Sequence, residues 1–299
     1  MITIFRRMIP FQRSRADDTD PLNRVALCFV VDTTGSMAGF IRAAQRTLLD
    51  TIDRLSTHRG VNLRIGLVAY RDHPPQDKSY VTRVHSLTDD RERMQKVIGK
   101  LRARGGGDGP EAVYRGLYDA VTQMPWRDHS SRYVMLVGDA PPHGFEAWYG
   151  LTHKTERTLR TAGDAWPHGC PSGLDVLSVT AAAEEHGVTV FALCMGNWSA
   201  TKLAFTALAT ATGGPRTAST NADDIIGEIE ALLQHEYEHL DFDRQTLDAV
   251  QHLGHLDTHQ LAADLACSEG RVAASPRRWA VSDAEDCSIL FECPGVWVL

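Results

Sequence analysis

Apolar residues recur along this chain in two alternating rhythms. Asn23–Val31 (NRVALCFVV) is a short continuous apolar run rich in β-branched residues, the pattern of a strand buried on both faces. A polar, glycine-containing turn, Asp32–Ser36, interrupts it. Met37–Leu55 then sets Phe40, Ile41, Ala44, Leu48, Ile52 and Leu55 at helical spacing. The unit repeats. Val61–Tyr70 reads as a second strand and Tyr80–Ser86, with polar residues interleaved, as an edge strand. Asp90–Ala103 reads as a helix, Gly105–Gly109 as a glycine-rich loop, and Pro110–Gln123 as a helix with proline in its first turn. Arg132–Val137 and Val188–Met195 read as strands flanking a helix, Leu174–His186, which Gly187 closes. Ala200–Ala211 reads as a helix, Pro215–Ala218 as a weak strand and Ala222–His239 as a long helix.

Strands alternating with helices predict an α/β class, doubly wound, with a mostly parallel sheet and helices on both faces. Such sheets bind ligands at the carboxyl ends of their strands, where the strand order reverses. The segment Asp139–Pro171, interrupted by several prolines and glycines, is long for a connection and is expected to lie over that edge.

After His239 the pattern changes. Gln245–Leu253, Thr258–Ala266 and Ser268–Arg278 read as three short helices, and Ser288–Glu292 with Val296–Leu299 as a hairpin around Pro294-Gly295. The expected organisation is a tail over 1–22, an α/β domain over 23–240 and a small α+β module over 241–299. That module resembles a helix-turn-helix followed by a wing. Pro276 falls inside its would-be recognition helix, and the segment holds ten acidic against four basic residues, a net of −6. DNA readers carry a basic footprint, so the module is expected to contact protein.

Composition narrows the classes further. The chain has 299 residues and a net charge of −7, which disfavours general attraction to nucleic acid or anionic membranes. No apolar run is long enough for a transmembrane helix. Met1–Arg15 carries four arginines and no continuous apolar stretch, which argues against a secretory signal. Cys28 and Cys194 sit inside apolar runs and read as small buried hydrophobes. Cys287 and Cys293 could face each other across the hairpin. The cysteine set as a whole fits an intracellular, cytoplasmic protein better than a disulfide scaffold.

Three turns that follow strands offer oxygen ligands: Asp32-Thr33-Thr34-Gly35-Ser36, Gly105-Gly106-Gly107-Asp108-Gly109-Pro110-Glu111 and Gly138-Asp139-Ala140-Pro141-Pro142. Carboxylates and hydroxyls without cysteine or histidine suit a hard divalent cation. The first turn resembles the Asp-x-Ser-x-Ser motif of von Willebrand factor A domains. The set Asp32, Thr34, Ser36, Asp108 and Asp139 resembles their metal-ion-dependent adhesion site. The glycine-rich loop and Tyr70-Arg71-Asp72 are similar to an intracellular, bacterial-type branch, and the likeness covers about Asn23 to His239. Thr34 stands for the commoner serine, and Asp108 is the nearest candidate where the family's second loop supplies a threonine. The added charge would strengthen cation binding and weaken the pull on an acidic partner group.

The resemblance implies a non-enzymatic adaptor that binds Mg²⁺ (or Mn²⁺ or Ca²⁺) and captures a protein whose acidic side chain completes the metal shell. It implies Asp32, Ser36 and Thr34 as holders of the ion, Asp108 and Asp139 acting directly or through water, and Arg71, Asp72 and Glu111 behind them. Relatives often work beside AAA+ ATPases, protein kinases or phosphatases. Two other readings stay open. His235-Glu236-Tyr237-Glu238-His239 matches the H-E-x-x-H pattern of zinc hydrolases, with His252, His255 and His259 downstream. The tail could serve a transcriptional regulator. His143, His153, His168 and Cys170 fit no metal spacing and read as surface or packing residues.

Overall fold

The computed structural model describes residues 24–59, 61–128, 130–145, 163–219, 222–253 and 257–273. Strand β1 (Arg24–Asp32) lies at the centre of a six-stranded sheet. Helix α1 (Ala38–Ala43) passes through a π-helical turn (Ala44–Leu48) into α2 (Leu49–Arg59). Then come β2 (Asn62–Tyr70), β3 (Thr82–Thr88), α3 (Arg91–Gly99), α4 (Val113–Gln123) and β4 (Ser131–Gly138). The chain continues through α5 (Val176–Glu185), β5 (Val188–Met195), α6 (Ser199–Ala211), β6 (Arg216–Ser219), α7 (Ala222–Leu253) and α8 (Thr258–Asp264). The strand order is β3-β2-β1-β4-β5-β6, with β3 antiparallel at one edge and all other pairings parallel. The expected α/β class with a doubly wound, mostly parallel sheet is the architecture found.

The apolar run of β1 explains the layering. Successive strand side chains point to opposite faces. Val25, Leu27, Phe29 and Val31 therefore join α1, α2 and α7 in one core, while Cys28 and Val30 join α4, α5 and α6 in the other. Cys28 and Cys194 are buried free thiols, as their apolar settings predict. Phe29 is fully buried. Phe29→Ala should lower stability by about 3–5 kcal/mol through lost burial and the cavity left behind, readable in urea unfolding.

Local chemistry fixes several boundaries. Asp175 and Ser178 form a reciprocal capping box at the start of α5, and the Asp90 side chain accepts from Arg93 N at α3. Two expected helices are shorter than their patterns suggest. The helix expected over Asp90–Ala103 ends at Gly99. The one expected from Pro110 starts at Val113, because Glu111 is drawn into a bridge with Pro142 and Ala112 N donates to Arg71 O at 2.9 Å.

The largest departure is α7. The helix expected to stop at His239 continues without a break to Leu253 and absorbs the separate helix expected at Gln245–Leu253. The first core reaches Leu240 on this rod, and a second small core begins at Phe242 with Val250, Leu261, Ala262 and Val272. The last of these sits in a helical turn at 269–273. The hairpin expected at Ser288–Leu299, with Cys287 and Cys293, lies outside the described residues, as does the tail over 1–22. No helix among the described residues is long and apolar enough to cross a membrane.

Candidate metal centre

Three parallel strands deliver the first group of oxygens. Asp32 ends β1, Tyr70 ends β2 beside it, and Asp139 follows β4. Thr33 N and Thr33 Oγ1 both donate to Tyr70 O at 2.9 Å, so the turn after β1 is tied to its neighbour. Asp32 Oδ1 accepts from Thr34 N at 2.7 Å and from Thr34 Oγ1 at 2.6 Å. Thr34 Oγ1 lies 3.4 Å from Ser36 Oγ, and Ser36 Oγ donates to Asp139 Oδ1 at 3.0 Å. Asp32, Thr34, Ser36 and Asp139 thus form one connected chain of hard oxygen donors at the carboxyl edge of the sheet.

The glycine-rich loop closes over this group. Gly35 N donates to Gly105 O at 3.2 Å and Arg104 N to Thr33 O at 3.0 Å. Gly105 has φ +79°, and a Cβ there would stand 1.9 Å from Asp77 Oδ2; Gly106 has φ +86°, and its Cβ would stand 3.0 Å from Glu111 Oε1. Only glycine lets the backbone come this near in that conformation.

Asp108 meets a second group of side chains. Its Oδ2 accepts from Ala165 N at 2.6 Å. Asp72, Asp108 and His143 form a second group whose ligand-type atoms all lie within 4.8 Å of one another. Asp108 therefore meets the Ala165 N–H, Asp72 and His143. Asp72 and His143 are fully buried, with His143 Nε2 2.7 Å from Asp72 Oδ1 and His143 Nδ1 2.8 Å from Asp164 Oδ1. Asp164 Oδ2 also accepts from Gly144 N at 2.8 Å. His143, expected as a surface or packing residue, is therefore the cation between two buried carboxylates. His73 Nε2 meets Cys170 Sγ at 3.4 Å, and Trp166 stands edge-on to His143, with ring centroids 4.7 Å apart. His153 lies outside the described residues. Asp72 and Glu111, expected by resemblance to stand behind the ion, are buried, and Arg71 donates to Ser79 Oγ at 2.8 Å and to Arg102 O at 3.0 Å.

Electrostatics mark this edge as strongly negative. Burial pushes the Glu111 carboxyl up to about 11, helped by the charges of Asp32, Asp72, Asp108 and Asp139. Burial and contact with Asp72 raise Asp108 to about 7. Burial opposes charge on His143, but its bonds to Asp164 and Asp72 outweigh that and hold it at about 9. Glu111 Oε2 is buried and accepts no hydrogen bond within the described residues. An all-oxygen donor set, surrounded by carboxylates that repel one another, fits a hard divalent cation.

A pH-dependent test follows from Glu111. Folded Glu111 keeps its proton to about 11, whereas the unfolded chain releases it above about 4.5. Stability is therefore lost as pH rises between those values. Glu111→Gln should raise the thermal midpoint of the cation-free protein at pH 8 and leave it unchanged near pH 4.

The H-E-x-x-H segment lies on α7. His235 and His239 meet edge-on with ring centroids 4.1 Å apart, and Glu236 completes a three-donor group. Glu236 Oε2 accepts from Tyr133 OH at 3.0 Å, which binds the helix to the sheet. His252 and His259 are absent from that group, and His259 Nδ1 sits 2.8 Å from Glu269 Oε1. His255 lies outside the described residues.

Residues 26–159 match the family model described as von Willebrand factor A domain. The chain is 29% identical over 151 residues to "Alpha-protein kinase vwkA" of Dictyostelium discoideum, an alignment covering 50% of this chain and 22% of that protein. It is 30% identical over 122 residues to an ariadne-like RING finger protein of Acanthamoeba polyphaga mimivirus, covering 40% of this chain and 11% of that one. The chain thus spans less than a quarter of the length of these relatives. Among solved structures, a von Willebrand factor type A protein from Catenulispora acidiphila aligns at TM-score 0.49 and 15% identity, over 71% of this chain and 42% of that one. Proximal thread matrix protein 1 of the mussel byssus, with a zinc-occupied metal-ion-dependent adhesion motif, aligns at 0.47 and 14%, over 73% and 47%. The family-model match over residues 26–159 begins in β1 and takes in β2, β3 and β4 of this α/β sheet, so this part of the chain is similar to von Willebrand factor A domains.

Proposed function

We propose that this chain is an adaptor that binds a partner protein through one divalent cation, Mg²⁺ by preference and Mn²⁺ or Ca²⁺ as alternatives, and that it performs no catalysis itself. The observation that carries this reading is the hydrogen-bonded chain Asp32–Thr34–Ser36–Asp139. These four side chains would hold the ion. Glu111 lies behind them, and Asp108 with Asp72 adds charge at the rim. A cation held by so few protein groups supplies Lewis acidity at open positions, where an acidic side chain of the partner can bind. Arg71 braces the first turn, its Nε 3.4 Å from Thr33 Oγ1, and so preserves the angle at which Thr34 and Ser36 face Asp139.

The kinase-named relative is in keeping with a partner from an ATPase, kinase or phosphatase system. A cytoplasmic setting agrees with the buried free thiols of Cys28 and Cys194. We divide the chain into a tail over 1–22, the domain over 23–240 and a small module over 241–299, whose separate core around Phe242 and Leu261 suits a protein contact.

An affinity capture with and without chelator, comparing wild type with Asp32→Ala, tests the proposal. Capture of a defined partner should require both the cation and Asp32. Partner capture that survives both treatments would remove it. Glu236→Gln separates the hydrolase reading, because under the adaptor reading it should leave cation-dependent capture unchanged.

A further inference from the structure

Beside the turn that follows β1, residues of β3, α3 and the segment leading to the glycine-rich loop line a pocket of about 750 Å³. Its wall includes Arg71, Arg83, Arg93, Lys100, Arg102 and Arg104, with Lys96 at the side. Asp90 is the single acidic residue among the lining, and its carboxylate is spent on the Arg93 backbone N–H at the start of α3. A chain with 38 acidic and 31 basic residues would not gather seven cations around one concavity by composition alone.

These cations are poorly neutralised. Arg71 forms the floor and is held rigidly, with Asp77 Oδ2 3.5 Å away and bonds to Ser79 Oγ and Arg102 O. Lys96 has only an exposed contact with Glu92 at 3.7 Å, which salt screens. Arg83, Arg93, Lys100 and Arg104 meet no carboxylate among the described residues. His85, inside the same wall, is lowered by burial and by Arg83, Arg93 and Lys100, so the field there is positive. Like charges converging on a concave, partly desolvated surface repel unless an anion joins them.

We propose that this pocket binds a small molecule carrying several phosphate groups, of the inositol-phosphate or oligophosphate class. Guanidinium forks match phosphate oxygens two at a time, and several of them around one hollow match several phosphates. The volume falls within the roughly 300–1,000 Å³ of small-ligand sites, which favours a compact anion over a nucleic-acid strand. A nucleobase has little to stack on. Tyr80 already carries the guanidinium of Arg71 at 4.5 Å and that of Arg83 at 4.1 Å from its ring centroid. Phosphate binding here does not rest on the cation reading above, although Arg71 borders both sites.

The test is calorimetric titration of the full chain at about physiological salt, where exposed charges further apart than roughly 8 Å are screened. Divalent cations are left out, because phosphates chelate them. The probes are myo-inositol hexakisphosphate, inorganic tripolyphosphate and ATP. One-to-one binding of either of the first two is expected. The tighter of them distinguishes a ring-borne cluster from a linear chain. Arg83→Glu combined with Lys100→Glu should weaken that binding at least about tenfold, as expected for losing charge-assisted contacts, without lowering the melting midpoint of the ligand-free protein. Lys202→Glu, on α6, should leave it unaltered. No saturable binding, or equal losses in the pocket and Lys202 variants, would overturn the proposal. ATP binding more tightly than tripolyphosphate would overturn it as well, since a base would then be recognised.

Discussion

His143→Ala should destabilise the protein by about 3–5 kcal/mol near neutral pH, the usual result of removing one partner from a buried ionic group. The imidazole lies between Asp72 and Asp164, and all three side chains are almost wholly buried. Without it, two carboxylates remain in a poorly solvated site that also holds Asp108 and Glu111. The sign with pH can be stated. The folded-state value of His143 is raised from 6.5 to about 9. Its ionic contribution is therefore complete below about 6.5, fades as pH rises towards 9 and is gone above. Urea unfolding at pH 6.5 and pH 9.5 should show the gap between wild type and variant narrowing at the higher pH. A loss under about 1 kcal/mol, or a gap that widens with pH, would contradict this account of the triad.

Asp32→Asn should have opposite consequences with and without divalent cation. The amide Oδ1 can still accept from Thr34 N and Thr34 Oγ1, so the turn keeps its internal bonds. A negative charge that pushes up both Glu111 and Tyr70 disappears. In chelator the variant should melt above wild type. With Mg²⁺ at a hundred times its dissociation constant, wild type should gain about 2.7 kcal/mol by linkage, a rise of roughly 5–11 °C for a domain of this size, while the variant gains nothing. Differential scanning calorimetry in both conditions gives the comparison. A variant that melts lower in chelator, or that Mg²⁺ still stabilises, would show that Asp32 does not hold the ion.

The two predictions rest on parts of the site that differ in how openly they are written in the sequence. Asp32, Thr34, Ser36 and Asp139 stand in or just after short turns at strand ends, and parallel strands with aligned registers bring such turns together. Their meeting could be read from pattern alone. The triad could not, because His143 is 71 residues from Asp72 and 21 from Asp164 in sequence. Nothing in the local composition of the long segment after Asp139 marks Asp164 as its partner. Asp108 sits in a motif that points to the metal, yet the Ala165 N–H and the Asp72 and His143 side chains draw it to the neighbouring group.

Helix α7 shows the same limit. Leu240-Asp241-Phe242-Asp243 mixes charge into the apolar rhythm and reads as a break. In the folded chain Leu240 and Phe242 point to different cores, so each local pattern is satisfied and the helix runs on. The basic pocket is another case, for Arg71 and Arg83 join the cations of residues 93–104 only because α3 packs beside β3.

What the sequence determined was the alternation of strands and helices through the sheet, the two-faced burial of β1 and the donor residues that follow β1 and β4. These depend on periodicity and turn chemistry, which act over a few residues. What the tertiary structure decided was which buried charges neutralise one another, which groups surround Asp108 and which cations share a wall. Those outcomes depend on distances between segments remote in sequence, and Coulomb and desolvation energies are set by such distances and by burial, neither of which a local pattern contains.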